Sequence, residues 1–368
     1  MRARKLTLLI VLLLMCTQAA MAQSVLLRDA PGIGFKPYTD SNSPAYWVGD
    51  TLYVLNSNDN PALTKGWDQF GLDEGVQVKW NREVGGNRWM ECAFQDDKGV
   101  LYGYYHCEIR PLCHSDDKLT APKIGAARST DNGLNWTDLG FVLEATPGTL
   151  DCTYKNGFFA GGHGDFSGML SRDKKYVYVF FSNYAGDVGE QGIGVARLPW
   201  KDRDKPLGKF RKFFAGAWDE PGVGGHVTPF FPAKASWKGP DCDALWGPSI
   251  HWNTYLKQYV VLMNRVKGTP DWPQDGVYVS FANNLADPSS WTKPEKIVDK
   301  GKWYPQVLGL NTSARETDKL CGQVGRYFIH GTSRQEIVFL KKGEDPSKLP
   351  PVYVPPGRTW PSKPKQPK

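Results

Sequence analysis

One pattern recurs along this chain: a strand rich in aromatic and β-branched residues, a polar turn, and a second strand rich in Tyr and Val. The turns carry the Asp, Asn and Gly residues that tight hairpins require, as in Asp96–Gly99 and Asn253-Thr254. Because the same hairpin returns throughout, the fold must accommodate a repeated β-unit. The segments are Tyr46–Asn56, Trp89–His106, Gly164–Tyr184, Trp246–Asn264 and Tyr304–Gly331.

A second pair of strands follows several of these hairpins. The pairs are Ile124–Arg128 with Gly140–Leu143, Ile193–Leu198 with Lys209–Phe214, and Gly276–Phe281 with Lys293–Val298. Four antiparallel strands make one propeller blade, and units of about 45 to 80 residues give five blades. The sequence therefore predicts an all-β fold, a five-bladed β-propeller with four-stranded antiparallel blades. A β-sandwich is the alternative, but it does not require one double hairpin to recur.

The amino terminus has the pattern of a secretory signal peptide. Arg2, Arg4 and Lys5 precede the apolar run Leu6–Met15, and Ala20-Met21-Ala22 provides a cleavage site. We expect residues 1–22 to be removed after Ala22, which predicts a secreted or periplasmic protein. A membrane anchor is the alternative, but the run is shorter than the ~20 residues that span a bilayer. We therefore expect no stable membrane insertion.

The net positive charge of the chain lies at its two ends and not in its middle. The net charge is +7, of which the leader contributes three, and the tail, residues 355–368, contributes four without any acid. Residues 23–354 are therefore neutral, and we expect them to form a single propeller domain followed by a disordered, Pro/Lys-rich tail. A neutral body does not predict nucleic-acid binding, which requires a basic face.

Six cysteines remain after the leader: Cys92, Cys107, Cys113, Cys152, Cys242 and Cys321. An exported chain of this kind is expected to form one to three disulfides. Proximity in sequence suggests only the pair Cys107 and Cys113. The spacing lacks the paired motif of structural zinc, so no metal site is predicted.

One turn of the chain matches a defined sequence motif. Residues 129–136, Ser-Thr-Asp-Asn-Gly-Leu-Asn-Trp, fit the pattern S-x-D-x-G-x-x-W, which resembles the Asp box of sialidases and other propeller glycosidases. Its chemistry is structural: Asp131 can cap backbone N–H groups, Gly133 can adopt a positive φ, and Trp136 can pack between blades.

Two further stretches carry a broader resemblance. Residues 246–252 (WGPSIHW) with Tyr259–Leu262, residues 276–281 (GVYVSF), and Gly164-Asp165-Phe166-Ser167 resemble the five-bladed propeller glycoside hydrolases that include arabinanases and β-xylosidases. The resemblance covers roughly residues 87–300. It implies a glycosidase with three carboxylates around the central funnel, one acting as acid, one as base and one tuning the pKa of the acid.

The catalytic acids are assigned by that resemblance and by strand position. Asp165 matches the third-blade carboxylate, and Glu91 occupies the equivalent place in blade two. The fourth-blade acid of the family is replaced by Trp246, so Asp243, three residues earlier, is the candidate third acid. The first-blade Asp is also missing, and Asp40 is the nearest acid.

Aromatic and histidine residues near these acids are the candidate sugar contacts: His163, Trp246, His251, Trp303 and Tyr304. His106 and Glu108 are further contacts at the rim. Some relatives hold one central ion through a histidine, so a single ion is compatible with the resemblance, but no cofactor is required. We expect a monomer that binds carbohydrate.

The resulting prediction is a secreted glycoside hydrolase that acts on a polysaccharide or oligosaccharide. Because two family acids are missing, a non-catalytic carbohydrate-binding or scaffold propeller remains the alternative. A sialidase-like enzyme is a third reading, with Arg128, Arg197, Arg265, Arg326 and Arg334 as the source of its carboxylate-binding arginines.

Overall fold

Five small, mainly antiparallel sheets succeed one another along the chain and close into a ring. This computed structural model describes residues 23–81, 86–109, 112–113, 119–268 and 272–355. The prediction of an all-β, five-bladed propeller is confirmed. The predicted leader and tail lie outside the described residues, apart from Pro355.

The bounds of the strands follow the predicted hairpins closely. The chain begins with β1 (Ser24–Gly34). Blade one contains β2 (Ala45–Val48), β3 (Thr51–Asn58), β4 (Asn60–Gly66) and β5 (Val76–Gln77). Blade two contains β6 (Lys79–Trp80), β7 (Asn87–Gln95), β8 (Leu101–Glu108), β9 (Lys123–Ser129) and β10 (Asn135–Leu143). Blade three contains β11 (His163–Leu170), β12 (Tyr176–Asn183), β13 (Gly192–Pro199), β14 (Arg211–Phe214), β15 (Ala217–Pro221) and β16 (Phe231–Pro232).

Blade four contains β17 (Asp243–Asn253), β18 (Gln258–Lys267), β19 (Gln274–Ala282) and β20 (Glu295–Asp299). Blade five contains β21 (Pro305–Gly309), β23 (Val324–Ile329) and β24 (Thr332–Leu340), while β22 (Leu320–Cys321) pairs with β17. Short 3-10 turns lie at Trp200–Asp202, Pro288–Ser290 and Pro346–Lys348.

Apolar clusters between neighbouring blades hold the ring together. Separate buried clusters join blades one and two, two and three, three and four, four and five, and five and one. Full burial of one Val, Leu or Phe side chain is worth about 1.5–3 kcal/mol. The alternating apolar residues of each strand therefore face a neighbouring blade on both sides, and the circle has no gap.

The amino-terminal strand closes the ring, which the hairpin pattern did not predict. Strand β1 pairs antiparallel with β24 and is the outermost strand of blade five. Arg28 of β1 forms an ion pair with Glu336 of β24, whose side chain is fully buried. The two ends of the propeller are thus joined within one sheet.

The S-x-D-x-G-x-x-W turn has the structural role expected of it. Asp131 accepts a hydrogen bond from the backbone N–H of Asn135 at 2.9 Å, and Gly133 has a φ of 88°. Trp136 is buried in the cluster between blades one and two, where its indole N–H donates to the carbonyl of Gly133 at 2.8 Å. The motif stabilises a hairpin and lies outside the central cavity described below.

A disulfide is present, but with a different pairing from the one that proximity suggested. Cys113 bonds to Cys152, with 5.8 Å between their Cα atoms, so the predicted pair of Cys107 with Cys113 is wrong. Sequence proximity failed because the segment after β10, which leads from blade two to blade three, passes next to Cys113. In the described part of the chain, no helix has the length and hydropathy needed to cross a bilayer.

Candidate functional site

A cavity of about 370 Å³ opens on the face of the ring where the inner strands converge. Its wall combines acidic residues with aromatic rings. The lining residues are Asp40, Asp59, Asn87, Trp89, His106, Glu108, Gly157, Phe158, Phe159, Asp165, Trp246, Trp272, Trp303 and Tyr304. A concave site with apolar walls and a few convergent polar groups is typical of a binding or active site.

Two of the predicted acids occupy equivalent β-bulges. In blade two the register with β8 shifts between Met90 and Cys92, which leaves Glu91 as the extra residue. In blade three it shifts between Gly164 and Phe166, which leaves Asp165 as the extra residue. A bulge re-aims a side chain relative to its strand. The predicted equivalence of Glu91 and Asp165 is therefore confirmed in their position within each blade.

Glu91 lies beneath the cavity instead of facing it. Its side chain is fully buried, and one oxygen accepts from Nδ1 of His106 at 2.9 Å while the other accepts from the backbone N–H of Phe166 at 3.0 Å. Burial raises the pKa of Glu91 to about 7, although the bond to His106 opposes the rise. Glu91 therefore does not line the cavity, and its catalytic role stays a prediction.

His106 links this buried acid to the cavity. Its Nε2 lies 3.2 Å from a carboxylate oxygen of Glu108, on the side opposite Glu91. Burial alone would lower the pKa of His106, but the hydrogen bonds to Glu108 and Glu91 outweigh it and raise that pKa well above its ordinary value. The raised pKa favours the charged ring, in which each of the two N–H groups donates to a carboxylate.

Asp165 reaches the cavity and is held by two phenols. The hydroxyl of Tyr304 donates to one carboxylate oxygen at 3.0 Å, and the hydroxyl of Tyr184 donates to the other. Burial raises the pKa of Asp165, whereas the charge of His106 and the two phenols oppose the rise. A carboxylate fixed in this way presents a negative charge in a defined place.

Asp40 and Asp59 complete the acidic part of the wall. Burial raises the pKa of Asp40 to about 6, and the nearby charges of Asp165, Glu108 and Asp59 add to the rise. Asp59 accepts from the side-chain amide of Asn87 at 2.9 Å. An acid with a pKa near 6 exchanges its proton readily around neutral pH, as a general acid must.

The rest of the wall is a box of aromatic rings. The ring of Trp246 lies nearly perpendicular to Trp272 and Trp303, with centroids 4.8 and 5.7 Å apart. Phe158 makes edge contacts with Trp272 and Trp303 at 4.9 and 5.7 Å. The predicted contacts Trp246, Trp303 and Tyr304 therefore all line the cavity, and their contact with a sugar stays a prediction.

Backbone strain concentrates around the same cavity. Among the described residues, eleven other than glycine have positive φ, and four of them line the cavity: Asp59, Asp165, Trp272 and Tyr304. For Trp272 and Tyr304, at 47° and 57°, this conformation is unusual because a bulky side chain disfavours it. Strained residues of this kind cluster at functional sites, which supports a functional role for the cavity.

Three other predicted site residues lie elsewhere. Both oxygens of Asp243 accept from Arg265 at 2.7 Å, beside a different cavity between blades three and four, so Asp243 does not join the central acids. His163 packs 4.5 Å from the ring of Phe181, and His251 packs 5.4 Å from Phe339. In blade three, the bulge at Asp165 turns the side chain of His163 away from that acid.

Burial also removes these two histidines from acid–base chemistry. It lowers the pKa of His163 well below its ordinary value and that of His251 to about 3, so both rings are neutral. Neither lines the central cavity. We therefore set aside His163 and His251 as sugar contacts.

Glu91, His106 and Asp165 are the described residues whose grouping is compact enough for a metal, with ligand atoms within 4.8 Å of one another. However, both ring nitrogens of His106 already lie within hydrogen-bond distance of carboxylates, and Glu91 accepts two hydrogen bonds. The three groups fit an ion pair better than a metal centre. The compatibility with a single central ion stays a prediction.

Sequence reasoning gave Asp40, His106 and Glu108 a minor place and missed Asp59, Asn87 and Tyr184. Asp59 lies in the turn Asn58-Asp59-Asn60 between β3 and β4, which looked like ordinary hairpin chemistry. Tyr184 directly follows β12 and resembles any strand-end aromatic residue. Only the assembly of separate blades around one axis brings these side chains together.

The comparisons with known proteins agree with this architecture. No family model and no curated protein sequence matches the chain. A thermostable family-43 glycoside hydrolase superposes with a TM-score of 0.51 at 9% identity, covering 85% of this chain and 92% of that one. At that identity, the likeness shows a shared fold, which is the fold that the resemblance implied.

Two further solved structures are similar at lower scores. The exo-beta-1,3-galactanase from Phanerochaete chrysosporium, solved with galactose, gives a TM-score of 0.46 at 13% identity. This chain covers 64% of that enzyme, and 84% of this chain is matched. The endo-arabinase from Bacteroides thetaiotaomicron gives a TM-score of 0.47 at 12% identity, covering 89% of this chain and 99% of that one.

Proposed function

We propose that this chain is a glycoside hydrolase whose active site is the central cavity. The observation that carries the proposal is the pair Asp40 and Asp165, two carboxyls with raised pKa values in one aromatic-lined cavity. Hydrolysis of a glycosidic bond requires a protonated acid and an ionised carboxylate on either side of that bond. Titratable groups perturbed by burial within a cleft are candidates for these roles.

The two carboxyls suit different steps. Asp40, with a pKa of about 6, would donate a proton to the oxygen of the departing sugar. Asp165, whose oxygens accept hydrogen bonds from Tyr184 and Tyr304, would in its ionised form stabilise positive charge on the sugar ring and accept a proton from the attacking water. Water supplies the new C–O bond as the glycosidic C–O bond breaks.

Glu91 takes a supporting role in this proposal. It holds His106 from below, and His106 in turn holds Glu108 at the cavity wall. The cation between these acids keeps three carboxyl groups in a small volume without strong repulsion. Glu91 and His106 are therefore positioning residues, and Asp243 has no part in the reaction.

We also propose the substrate class, the cellular location and the oligomeric state of the protein. A carbohydrate substrate is supported by the aromatic walls, whose flat faces can stack against sugar C–H groups. Export from the cytoplasm is supported by the bond between Cys113 and Cys152, because disulfides persist in oxidising compartments. We propose action as a monomer, without a cofactor and without nucleic acid.

The test is glycan release by the mature protein, from Gln23 onward, on a panel of polysaccharides and aryl glycosides. We expect release by wild type, and a fall of at least about a hundredfold in kcat/KM for Asp40→Asn and Asp165→Asn. Asp243→Asn is the matched control, since it removes a carboxylate that lies outside the cavity, and we expect it to keep wild-type activity. Folded variants that keep full activity would overturn the assignment of Asp40 and Asp165.

A carbohydrate-binding propeller without catalysis is the second candidate. It is favoured by Trp246, which stands where the resemblance places the fourth-blade acid and which is boxed in by other rings. A binding site needs stacking surfaces and hydrogen bonds but no acid. Glycan binding without release on any substrate would support this candidate.

The sialidase reading receives no support. Among the described residues, no arginine lines the central cavity. Arg265 is paired with Asp243, and Arg197 stacks on Tyr176 and Trp218 at the outside of blade three. We do not pursue that activity.

A further inference from the structure

The segment that leads from blade two to blade three forms one side of the central cavity. It contributes Gly157, Phe158 and Phe159 to the lining. The ring of Phe158 contacts Trp272, in the connection between β18 and β19, and Trp303, between β20 and β21, with centroids 4.9 and 5.7 Å apart. Contacts between described residues therefore carry the cavity wall from the start of blade three to the start of blade five.

Hydrogen bonds from Asn156 fix this side of the wall in place. Asn156 is fully buried, and its Oδ1 accepts from the backbone N–H groups of Phe158 and Phe159 at 2.8 Å each. Its amide donates to the carbonyl of Trp237 at 3.0 Å, and its own carbonyl accepts from the indole N–H of Trp272 at 3.0 Å. A satisfied buried network of this kind makes the segment a rigid part of the wall.

The opposite side of the wall is formed by blades five, one and two. The ring of Trp303 lies 6.0 Å from that of His330, in the turn between β23 and β24, and Nδ1 of His330 lies 3.9 Å from a carboxylate oxygen of Asp40. The backbone N–H of Asp40 bonds to strand β3 of blade one at 2.7 Å. Asp59, which follows β3, accepts from the amide of Asn87 in blade two at 2.9 Å.

The connection between β8 and β9 completes the circle. The backbone N–H of Thr120 donates to the carbonyl of Phe158 at 2.8 Å, and that of Ala160 donates to the carbonyl of Thr120 at 2.7 Å. The disulfide between Cys113 and Cys152 joins the same two segments covalently. Contacts between described residues thus follow the cavity wall through all five blades.

A cavity enclosed in this way limits how a long ligand can bind. Its volume of about 370 Å³ lies near the lower end of the ~300–1,000 Å³ that is usual for small-molecule sites. A polymer that binds along its length must leave the site in two directions, which requires a groove through the wall. An enclosed pocket offers one direction, through its mouth, and accepts the end of a chain.

We infer that the central cavity takes the terminal units of a glycan chain, so that the hydrolase is exo-acting. The inference rests on the proposed function for the sugar and adds the part of the chain that is bound. Water adds across the bond to the terminal fragment: its hydroxyl joins the anomeric carbon, and its remaining hydrogen joins the departing oxygen. Phe158 is the specificity-determining residue, because its ring closes the wall between two blade connections.

The test follows the products formed from linear α-1,5-arabinan, β-1,3-galactan and β-1,4-xylan by mass spectrometry and size-exclusion chromatography. We expect mono- or disaccharides to appear from the first time points, while the mean length of the polymer falls slowly. A ladder of intermediate oligosaccharides with a rapid fall in polymer length would overturn exo action and leave the hydrolase standing.

Binding decides the inference even where nothing is hydrolysed. Isothermal titration calorimetry with short and long chains of the same three glycans gives the number of protein molecules bound per chain. We expect one protein per chain at every length, because each linear chain has one end of the required kind. A number that rises with chain length would overturn the inference. Neither hydrolysis nor binding of any of the three would overturn both this inference and the proposed function.

Phe158→Ala is the informative variant, because it removes the ring that closes the wall. We expect the fraction of intermediate-length products to rise by about threefold or more. Phe214→Ala is the matched control, since Phe214 is also half-buried but packs against His226, 5.3 Å away, outside the cavity. The control should keep the wild-type products. A folded Phe158→Ala variant with wild-type products would remove Phe158 from the specificity-determining role.

Discussion

At the scale of single residues, the site depends on how burial changes acids that the sequence merely places nearby. Asp40 was an acid upstream of blade one, and the structure places it in the cavity wall with its pKa raised to about 6. Glu91 was a candidate catalytic group, and the structure places it beneath His106. Two carboxyl side chains therefore take different roles because their surroundings differ.

Asp40→Asn should stabilise the protein at high pH. The pKa of Asp40 is raised from 3.8 to about 6 in the folded state, so stability from this group is present below pH ~4 and is lost as pH rises through ~6. Allowing for solvent around this partly exposed group, we expect the variant to gain about 1 kcal/mol at pH 8.

Urea unfolding of both proteins at pH 4 and pH 8 checks this prediction. The difference between variant and wild type should be small at pH 4, where both side chains are uncharged. An equal gain in stability at both pH values would mean that the effect of the substitution comes from packing and not from the ionisation of Asp40.

Glu91→Gln should lower the pKa of His106 without unfolding the protein. The carboxylate lies 2.9 Å from Nδ1 of His106 and favours the charged ring. Replacing it with a neutral amide of the same shape should lower that pKa by about 1 or more. Titration of the imidazole by NMR measures the change.

Asp243→Asn is the control for the titration, because Asp243 is paired with Arg265 and does not contact the imidazole of His106. It should leave the pKa of His106 unchanged. A Glu91→Gln variant with an unaltered His106 would remove Glu91 from the positioning role.

At the scale of elements, the closing strand β1 is held by one buried ion pair as well as by its backbone. Nε of Arg28 donates to Glu336 at 2.7 Å, and the guanidinium also reaches the carbonyl of Pro350. Glu336 has no exposed surface. Arg28 therefore joins β1, β24 and the segment that follows the last blade.

Arg28→Met should destabilise the fold by about 3 kcal/mol, because it removes the ion-pair partner of a fully buried carboxylate, which then keeps the N–H of Tyr353 and the charge of Arg326. Arg315→Met is the matched control: its partner Asp50 is 82% exposed, so its loss should cost less than about 1 kcal/mol. Urea unfolding of both variants gives the comparison.

Adding Glu336→Gln to Arg28→Met separates charge from packing. If the buried charge is the cause, the double variant should recover a large part of the lost stability. Equal costs for Arg28→Met and Arg315→Met would show that the ion pair does not hold β1 in place.

At the scale of the whole molecule, long-range links fix the segments that frame the cavity. The disulfide joins Cys113, in the connection between β8 and β9 of blade two, to Cys152, 39 residues further on in the segment between blades two and three. Phe158 and Phe159 follow shortly after Cys152 and form part of the cavity wall. The disulfide thus limits the movement of that wall relative to blade two.

The double variant Cys113→Ala with Cys152→Ala should lose about 3–4 kcal/mol of stability, as expected for opening a loop of 39 residues. Guanidinium unfolding measures the loss. Reduction of the wild type should lower stability by a similar amount, and further reduction of the double variant should change nothing. A double variant as stable as the oxidised wild type would contradict a structural role for this bond.

The strands of each blade could be predicted from the sequence because the residues that define a hairpin are close together along the chain. Alternating apolar residues and hairpin turns lie within about 20 residues of each other, so segments such as Gly164–Tyr184 predicted β11 and β12 nearly to the residue. The same holds for the turn around Asp131, whose bonds span four residues. These features need no information from the rest of the chain.

Contacts between residues far apart in sequence could not be predicted from such local patterns. Tyr304 and Asp165 are 139 residues apart, and Arg28 and Glu336 are 308 apart. The misplacement of His163 has a more local cause, since one extra residue in the strand turns its side chain away from Asp165. A bulge leaves no clear mark in an alternating pattern.

The sequence by itself determined the repeated double hairpin, the number of blades and the places where acids and aromatic rings approach the inner strands. The tertiary structure alone decided that Asp40, Asp59 and Asp165 share one cavity, that Glu91 is buried behind His106, and that β1 closes the ring. The physical reason is that hairpins form from neighbouring residues, whereas desolvation, charge coupling and ring closure exist only once five blades have packed around a common axis.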